Sequence, residues 1–404
     1  MNEVTRCSLE EAIELVKDNI TPDFDIEEIS VLDALGRVIA EDIVAPHNQP
    51  PFPRSPLDGY AMQASDSKGA TLENPVVLKV VDEVMAGSVS NHPVTDGEAI
   101  RIMTGAPIPE GADCIIRQEE TDCGDELVKV YREHNVFENY CYAGEDYKKG
   151  QCLIPKKTPL TSVEIGLLAS VGRQNISVYK LPEIHLMTTG DELVMPGQPL
   201  QKGKIYDSNL YCLGTRLRQL GFPVVLHDNI EDNPESVADQ IDGIAKQAKV
   251  IITTGGVSVG KKDIMHDVFR ILKVKKLFWK MALKPGTPTL CGMHKDALII
   301  GLSGNPFGAV TNLEIFVRPV LGYLTNNKTL IPIKQKGILE HDFGKPSRVR
   351  RFVRARYEGG KVYLPEGLHS SGVLSSMVGC NCLIDIPNGS EDVHKGDEVL
   401  VWML

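Results

Sequence analysis

Apolar residues recur every three or four positions over SLEEAIELVKDNI, where Leu9, Ile13, Val16 and Ile20 share one side and acids fill the other. That spacing predicts an amphipathic helix. Ser8, with Glu11 three residues on, supplies a capping box at its start. The pattern then breaks. Pro46, Pro50, Pro51, Pro53 and Pro56 mark a loop entering a new unit. From there to about Gly150 the runs VVLKVVDEV, EAIRIM, CIIRQEET and ELVKVY alternate with turns, and no helical period intervenes. Residues 46–145 therefore read as a β-rich domain. It is inserted, because LTSVEIGLLASVG beyond it is helical again. Residues 1–45 and 146–179 accordingly read as one discontinuous helical linker domain.

Residues 180–326 change character. EIHLMTT, PVVLHDNI, KVIITT, KLFWKMAL and ALIIGL read as strands. YCLGTRLRQL, SVADQIDGIAKQA, DIMHDVFRILK and AVTNLEIFVRPVL read as helices between or after them. This alternation predicts a doubly wound, mainly parallel α/β domain, with ligands at the carboxyl ends of its strands. Residues 327–404 return to short strands, RVRRFVRARY, KVYLP, NCLIDIP and EVLVWML, and read as a small C-terminal β-barrel. The fold class is thus multidomain α/β plus β.

Composition narrows the function. A chain of 404 residues exceeds what one core usually covers, so several domains are required. The net charge of −11 argues against a sequence-independent nucleic-acid binder, and no nucleic-acid partner is expected. It also makes any anion site a local assembly of a few cations. The 9 cysteines form no CxxC pair and the 10 histidines no HxxxH, so a zinc site is not indicated. The amphipathic start lacks a signal peptide's basic and apolar regions, and no apolar run is long enough to span a membrane. A cytoplasmic protein with no membrane partner is expected.

The candidate chemistry lies at strand ends. Val250–Thr254 runs into GGVSVG, where Gly255 and Gly256 let backbone approach an anion and Ser258 adds a hydroxyl. A ligand-free tight turn would use the same glycines, but no GK[ST] follows, so this is not a P-loop. Leu298–Leu302 leads into GLSGNPFG, where Asn305 is placed to cap the next helix and Pro306 fits its first turn. Capping alone leaves Gly301 and Gly304 unexplained; two glycine loops in one sheet point to a shared crevice.

Acids recur at the same rim: Asp191, Glu192, Asp207, Asp232 and Asp263. Oxygen-only ligands of this kind suit Mg²⁺; the alternative is ordinary helix-start charge. Lys280 and Lys284 flank the glycine loops and read as oxyanion ligands or as solvated lysines. Along 348–357, Arg348, Arg350, Arg354 and Arg356 alternate with apolar residues, and Arg351 breaks the pattern. That stripe fits a solvated face and an oxyanion site equally.

Taken together, FPRSPLDGYAM, RIMTGAPIPEGAD, AGEDYKKG, TTGDELVMPGQPL, GKIYDSN, TTGGVSVGKKD, KPGTP and GLSGNP resemble, in order, the motifs of the molybdopterin molybdenumtransferases, relatives of the gephyrin C-terminal domain. The resemblance spans nearly the whole chain. It implies a homodimer whose cleft spans two chains and an α/β part folded like the molybdopterin adenylyltransferases. It implies a reaction of adenylylated molybdopterin with molybdate that releases AMP, assisted by Mg²⁺. It carries functional roles to Asp58, Thr104, Asp146, Glu192, Asp232, Ser258, Asp263, Lys280, Lys284, Arg354 and Ser371. Of these, Glu192, Asp232 and Asp263 are expected to hold Mg²⁺. Contact with the adenylyltransferase is a further implied partnership. The chain departs from the family at Thr287, where Lys is frequent, and at Gly308, where a small hydroxyl is frequent; both bear on the choice of oxyanion. Three other readings compete. An adenylyltransferase would lack the extra domains, and a non-catalytic gephyrin-like scaffold would not need the acids and lysines. A generic nucleotide-binding module would need neither Arg354 nor the β-rich insertion.

Overall fold

The computed structural model describes residues 5–22, 25–257, 264–367 and 369–404. The chain divides into two compact units, one of residues 42–155 and 166–174, the other of the remainder.

The larger unit is built on a six-stranded sheet in the order Val224–Ile230, Ile184–Thr189, Val250–Thr254, Ala297–Leu302, Leu290–His294, Lys275–Trp279. The first four strands are parallel, and the last two form an antiparallel edge. The three inner parallel strands are buried along their whole length, as continuous aliphatic and β-branched runs require. Leu186, Ile252 and Ile300 face helix Asn209–Gln219 and the helical segment that starts at Pro306. Met187, Ile251 and Ile299 face helices Pro234–Ile244 and Met265–Ile271. The predicted doubly wound architecture is present.

Two elements differ from the sequence reading. KLFWKMAL is not one strand. It ends at Trp279, because Lys280 takes a φ of 79°, and Leu283–Lys284 resumes as a separate strand. AVTNLEIFVRPVL is not a uniform helix: a π-turn, Leu313–Val317, separates Pro306–Asn312 from Arg318–Leu324. Within that turn buried Glu314 accepts from Arg216 at 2.6 Å and from Arg318 at 3.0 Å, which satisfies a carboxylate that burial would otherwise penalise.

The same unit holds the N-terminal helix Leu9–Lys17. Its capping box forms as predicted, with Ser8 and Glu11 bonding each other's amides. Leu9, Ala12 and Val16 are buried on its inner side. Ile26–Ser30 pairs antiparallel with Asn175–Tyr179. The C-terminal strands close a barrel: Arg350–Glu358 pairs with Lys361–Tyr363 on one side and Cys382–Ile386 on the other, and Lys334–Leu339 and Glu398–Met403 complete the ring.

The smaller unit carries a five-stranded sheet in the order Cys114–Arg117, Gly59–Met62, Glu98–Ile102, Val76–Val84, Leu127–Val130. The strand at Gly59–Met62, inside the PLDGYAM motif, is additional to the runs read from sequence. Gly59 is required there, since a Cβ would lie 1.8 Å from the Ile116 carbonyl oxygen.

Candidate active site

The cleft lies in the larger unit, where the carboxyl ends of three parallel strands face the C-terminal barrel. It encloses about 1080 Å³. Thr189 and Gly190 close the first strand, Gly255 and Gly256 the second, and Ser303, Gly304 and Asn305 the third; all line it. Gly255 and Gly301 are steric necessities. A Cβ on Gly255 would stand 2.4 Å from the Thr189 carbonyl oxygen, and its φ is 95°. A Cβ on Gly304 would touch Gly255 Cα at 3.5 Å, and one on Gly301 would meet Val257 at 2.7 Å. The Val257 clash accounts for Gly301, which capping did not; at Gly304 a Cβ would make only ordinary contact. Asn209 ties the two loops together, donating to the Gly304 carbonyl at 2.9 Å and to the Thr254 hydroxyl at 3.3 Å.

Asn305 occupies the N-cap position and Pro306 the first helical turn, but the Asn305 side chain makes no capping bond. Its carboxamide therefore stands on the cleft wall with no role in the helix start. On the acidic rim, Glu192 and Asp232 both line the cleft, and Asp232 accepts the Asp191 amide at 3.3 Å. Beneath them buried Asp207 accepts from Thr188 and from the Leu210 amide at 3.0 Å, and so fixes the start of helix Asn209–Gln219. Ser258 and Asp263 lie outside the described residues. Among the described residues no group of three His, Cys, Asp or Glu converges to hold a metal ion.

The opposite wall is cationic. Lys284 and Arg351 both line the cleft, on strands that pair in parallel with these two residues in register. Arg351 is the residue that broke the arginine alternation, and that irregularity was its only signal in the sequence. The stripe itself is not one face: Phe352, Val353, Arg354 and Ala355 are buried in succession. Arg350 pairs with Asp385 and Glu10, both at 2.7 Å. Arg356 pairs with Glu358. Arg354 is fully buried. Its guanidinium lies 3.8 Å from the Phe307 ring centroid and donates to the carbonyls of Val373 and Ser370. It holds the 370–373 loop, and Ser371 from that loop lines the cleft and accepts the Phe307 amide at 3.0 Å. Lys280 is not among the lining residues; its ammonium stands 3.8 Å from the Trp279 ring centroid. Thr287 lines the cleft but turns its hydroxyl to the Leu283 carbonyl, and Gly308 sits behind the lining, where a Cβ would meet the Gly286 nitrogen at 3.3 Å.

Two lining residues escaped the sequence reading. Thr189 is buried, and among the described residues its hydroxyl has no hydrogen-bond partner. His369 packs edge-on against Phe343 at 5.8 Å. Burial, reinforced by nearby Arg354 and Lys345, lowers its pKa, so the cleft presents a neutral imidazole at neutral pH.

Asp58, Thr104 and Asp146 belong to the smaller unit. Asp58 Oδ1 accepts both the Thr104 amide and its hydroxyl at 2.7 Å, and these two bonds lower the Asp58 pKa. Asp146 is exposed, and its amide donates to the Gln49 carbonyl at 2.9 Å.

Fold and site define a multidomain enzyme-like architecture with a wide polar cleft that joins anion-ready glycine loops, a carboxylate rim and paired cations. Residues 7–172 match the MoeA N-terminal region (domain I and II), residues 185–323 a probable molybdopterin binding domain, and residues 336–404 the MoeA C-terminal region (domain IV). The molybdopterin molybdenumtransferase of Bacillus subtilis (strain 168) is 35% identical over 387 residues, which are 94% of this chain and 90% of that protein. That of Staphylococcus epidermidis is 33% identical over 98% of this chain and 95% of its own length. A crystal structure of a molybdopterin biosynthesis MoeA protein from Pyrococcus horikoshii OT3 aligns with a TM-score of 0.84 at 29% identity, covering 99% of this chain and 100% of that one. The chain belongs to the MoeA family of molybdopterin molybdenumtransferases.

Proposed function

We propose that this chain inserts molybdenum from molybdate into adenylylated molybdopterin and releases AMP. One observation carries the reading: the glycine loops at the strand ends and the Lys284–Arg351 pair face the same cleft. The loops offer backbone approach to the phosphates, and the cations suit a tetrahedral dianion. Water adds across the phosphoanhydride and frees AMP. The two thiols of the pterin then take up the oxyanion, and their protons leave with one of its oxygens as water. The protein's part is positioning and charge stabilisation.

Mg²⁺ fits the donor set present. Glu192 and Asp232 are two carboxylates on the cleft rim beside a phosphate-ready loop, and Mg²⁺ commonly takes one or two carboxylates plus substrate phosphates. Bound there, it would neutralise developing phosphate charge; Asp263 is proposed to join them on the strength of the resemblance. So are the parts of Ser258, Lys280, Asp58, Thr104 and Asp146.

A second copy of the chain is the proposed partner, and the adenylyltransferase the proposed supplier of substrate, both in the cytoplasm. Helix Ser162–Ser170 is apolar on nearly every side yet buries only Leu168, and Val163 is 73% exposed, which leaves apolar surface for a partner. No helix among the described residues is long and apolar enough to cross a membrane.

The test is AMP release and pterin-bound molybdenum, measured with adenylylated molybdopterin and molybdate. Wild type should form both, and EDTA should suppress AMP release. Asp232→Asn and Glu192→Gln should weaken the Mg²⁺ dependence while the thermal midpoint holds. Turnover of the variants at wild-type rate in EDTA would remove Mg²⁺ from the reading. Light scattering at twice the single-chain mass is expected; a fully active monomer would refute the dimer.

A further inference from the structure

The opposite end of the same sheet carries a second recess. Four lysines reach it from four segments: Lys180 before the first parallel strand, Lys249 before the second, Lys275 at the start of the edge strand, and Lys295 in the hairpin Leu290–Leu302. All sit at the amino ends of the parallel strands, the far side of the sheet from the cleft. They surround about 280 Å³.

The charge is unbalanced. Among the described residues Asp296 is the one acid lining the recess. Lys295 is neutralised by Asp242 at 2.7 Å. Lys275 donates to the neutral Asn19 carboxamide at 2.6 Å and, among the described residues, makes no ion pair. Lys180 and Lys249 make no ion pair among the described residues. A chain of net charge −11 has acids to spare, so cations gathered without them mark a place suited to an external anion. The floor is apolar, with Ile20, Met293 and Leu324 among its residues. Cations on the rim over an apolar floor match a molecule with a phosphate at one end and an apolar or planar body at the other. The volume limits that molecule to about the size of a nucleoside monophosphate, at the lower end of ligand pockets.

We propose that this recess is a second ligand site for a small organic phosphate, with the phosphate held by Lys180, Lys249 and Lys275 and the body resting on the apolar floor. It is independent of the reaction in the cleft.

Calorimetric titration of the full chain tests it, with AMP and inorganic phosphate as probes and Thr189→Val as background to weaken the cleft's contribution. AMP should still bind, more tightly at low salt because exposed lysines are screened. Lys180→Glu with Lys249→Glu should weaken that binding about tenfold or more, the loss of one to two charge-assisted contacts. Lys180→Gln with Lys249→Gln should give an intermediate loss with the thermal midpoint unchanged, and AMP release from adenylylated pterin should stay at the wild-type rate in both pairs. Inorganic phosphate should bind at least about tenfold more weakly than AMP, for want of a body to fill the floor. Three results would each overturn the proposal: an AMP affinity unmoved by charge reversal, equal affinity for AMP and inorganic phosphate, or no AMP binding beyond the cleft.

Discussion

Lys284 and Arg351 are register partners across the short parallel pairing that joins the α/β domain to the barrel, and both face the cleft. Two fixed cations side by side suit a dianion, and Arg351 supplies the charge that Thr287 does not. Arg351→Ala and Lys284→Ala should each raise the half-saturating molybdate concentration about ten- to a hundredfold, the cost of one charge-assisted contact, with excess molybdate restoring turnover. Because the residues adjoin, the double variant should lose less than the product of the single losses. Unchanged half-saturation in both single variants would place the oxyanion elsewhere.

Thr189 presents a buried hydroxyl with no partner among the described residues, beside Gly255 in the cleft. A buried unsatisfied polar group costs about 1–3 kcal/mol, a cost that a bound acceptor would offset. Thr189→Val keeps the shape and removes the hydroxyl. It should stabilise the free protein slightly and weaken AMP about five- to tenfold, and Thr189→Ser should restore most of the affinity. Equal AMP affinity in all three proteins would make Thr189 a packing residue.

The fold was largely legible because its signals are local. Val250–Thr254 and Ala297–Leu302 are continuous aliphatic runs, and their glycine turns sit where the sequence put them. The cleft's carboxylates and Lys284 were legible as residue types at strand ends. What was hidden depends on long-range pairing. Nothing near Leu283 announces that two residues will hook onto a strand at Arg350, so Arg351 looked like an irregularity and Arg354 like an open ligand. The π-turn at Leu313–Val317 was hidden too, since its apolar residues keep an ordinary helical period while Glu314 draws two arginines inward.

Arg354 acts on the cleft through the loop it holds. Removing its side chain would leave the Ser370 and Val373 carbonyls without their donor and Phe307 without its stacked cation. Arg354→Ala should cost about 2–4 kcal/mol of stability and lower the insertion rate, with excess molybdate giving no rescue. Arg354→Lys should recover little, because one ammonium does not reproduce a planar fork. Limited proteolysis should cut first near residues 370–373. A variant with normal stability and rate that only needs more molybdate would mean that Arg354 meets the oxyanion directly.

The smaller unit should lose stability in acid, and Glu138 sets most of the window. Its pKa is lowered from 4.5 to about 2, first by the Arg132 hydrogen bond at 2.6 Å and then by the Asn135 amide, against the opposing effect of burial. A carboxylate whose folded pKa is depressed contributes stability that is present above its unfolded value and is lost as pH falls toward the folded one. The loss should therefore run from about pH 4.5 down to 2. His134 beside it is mostly buried, and burial lowers its pKa below 6.5. The unfolded chain binds that proton first, so His134 adds an earlier loss that begins near pH 6.5. Arg132 is half exposed, so solvent screening holds the Glu138 contribution to about 2 kcal/mol. Urea unfolding of the whole chain, followed by amide exchange in the strands Cys114–Arg117 and Leu127–Val130, should show both steps. Glu138→Gln should weaken protection of these strands at neutral pH, flatten the lower step and deepen the His134 step, because Glu138, 3.2 Å from the imidazole, holds the His134 pKa up against burial. A Glu138→Gln protein whose acid profile overlays the wild type would show that Arg132 and Glu138 contribute no net stability.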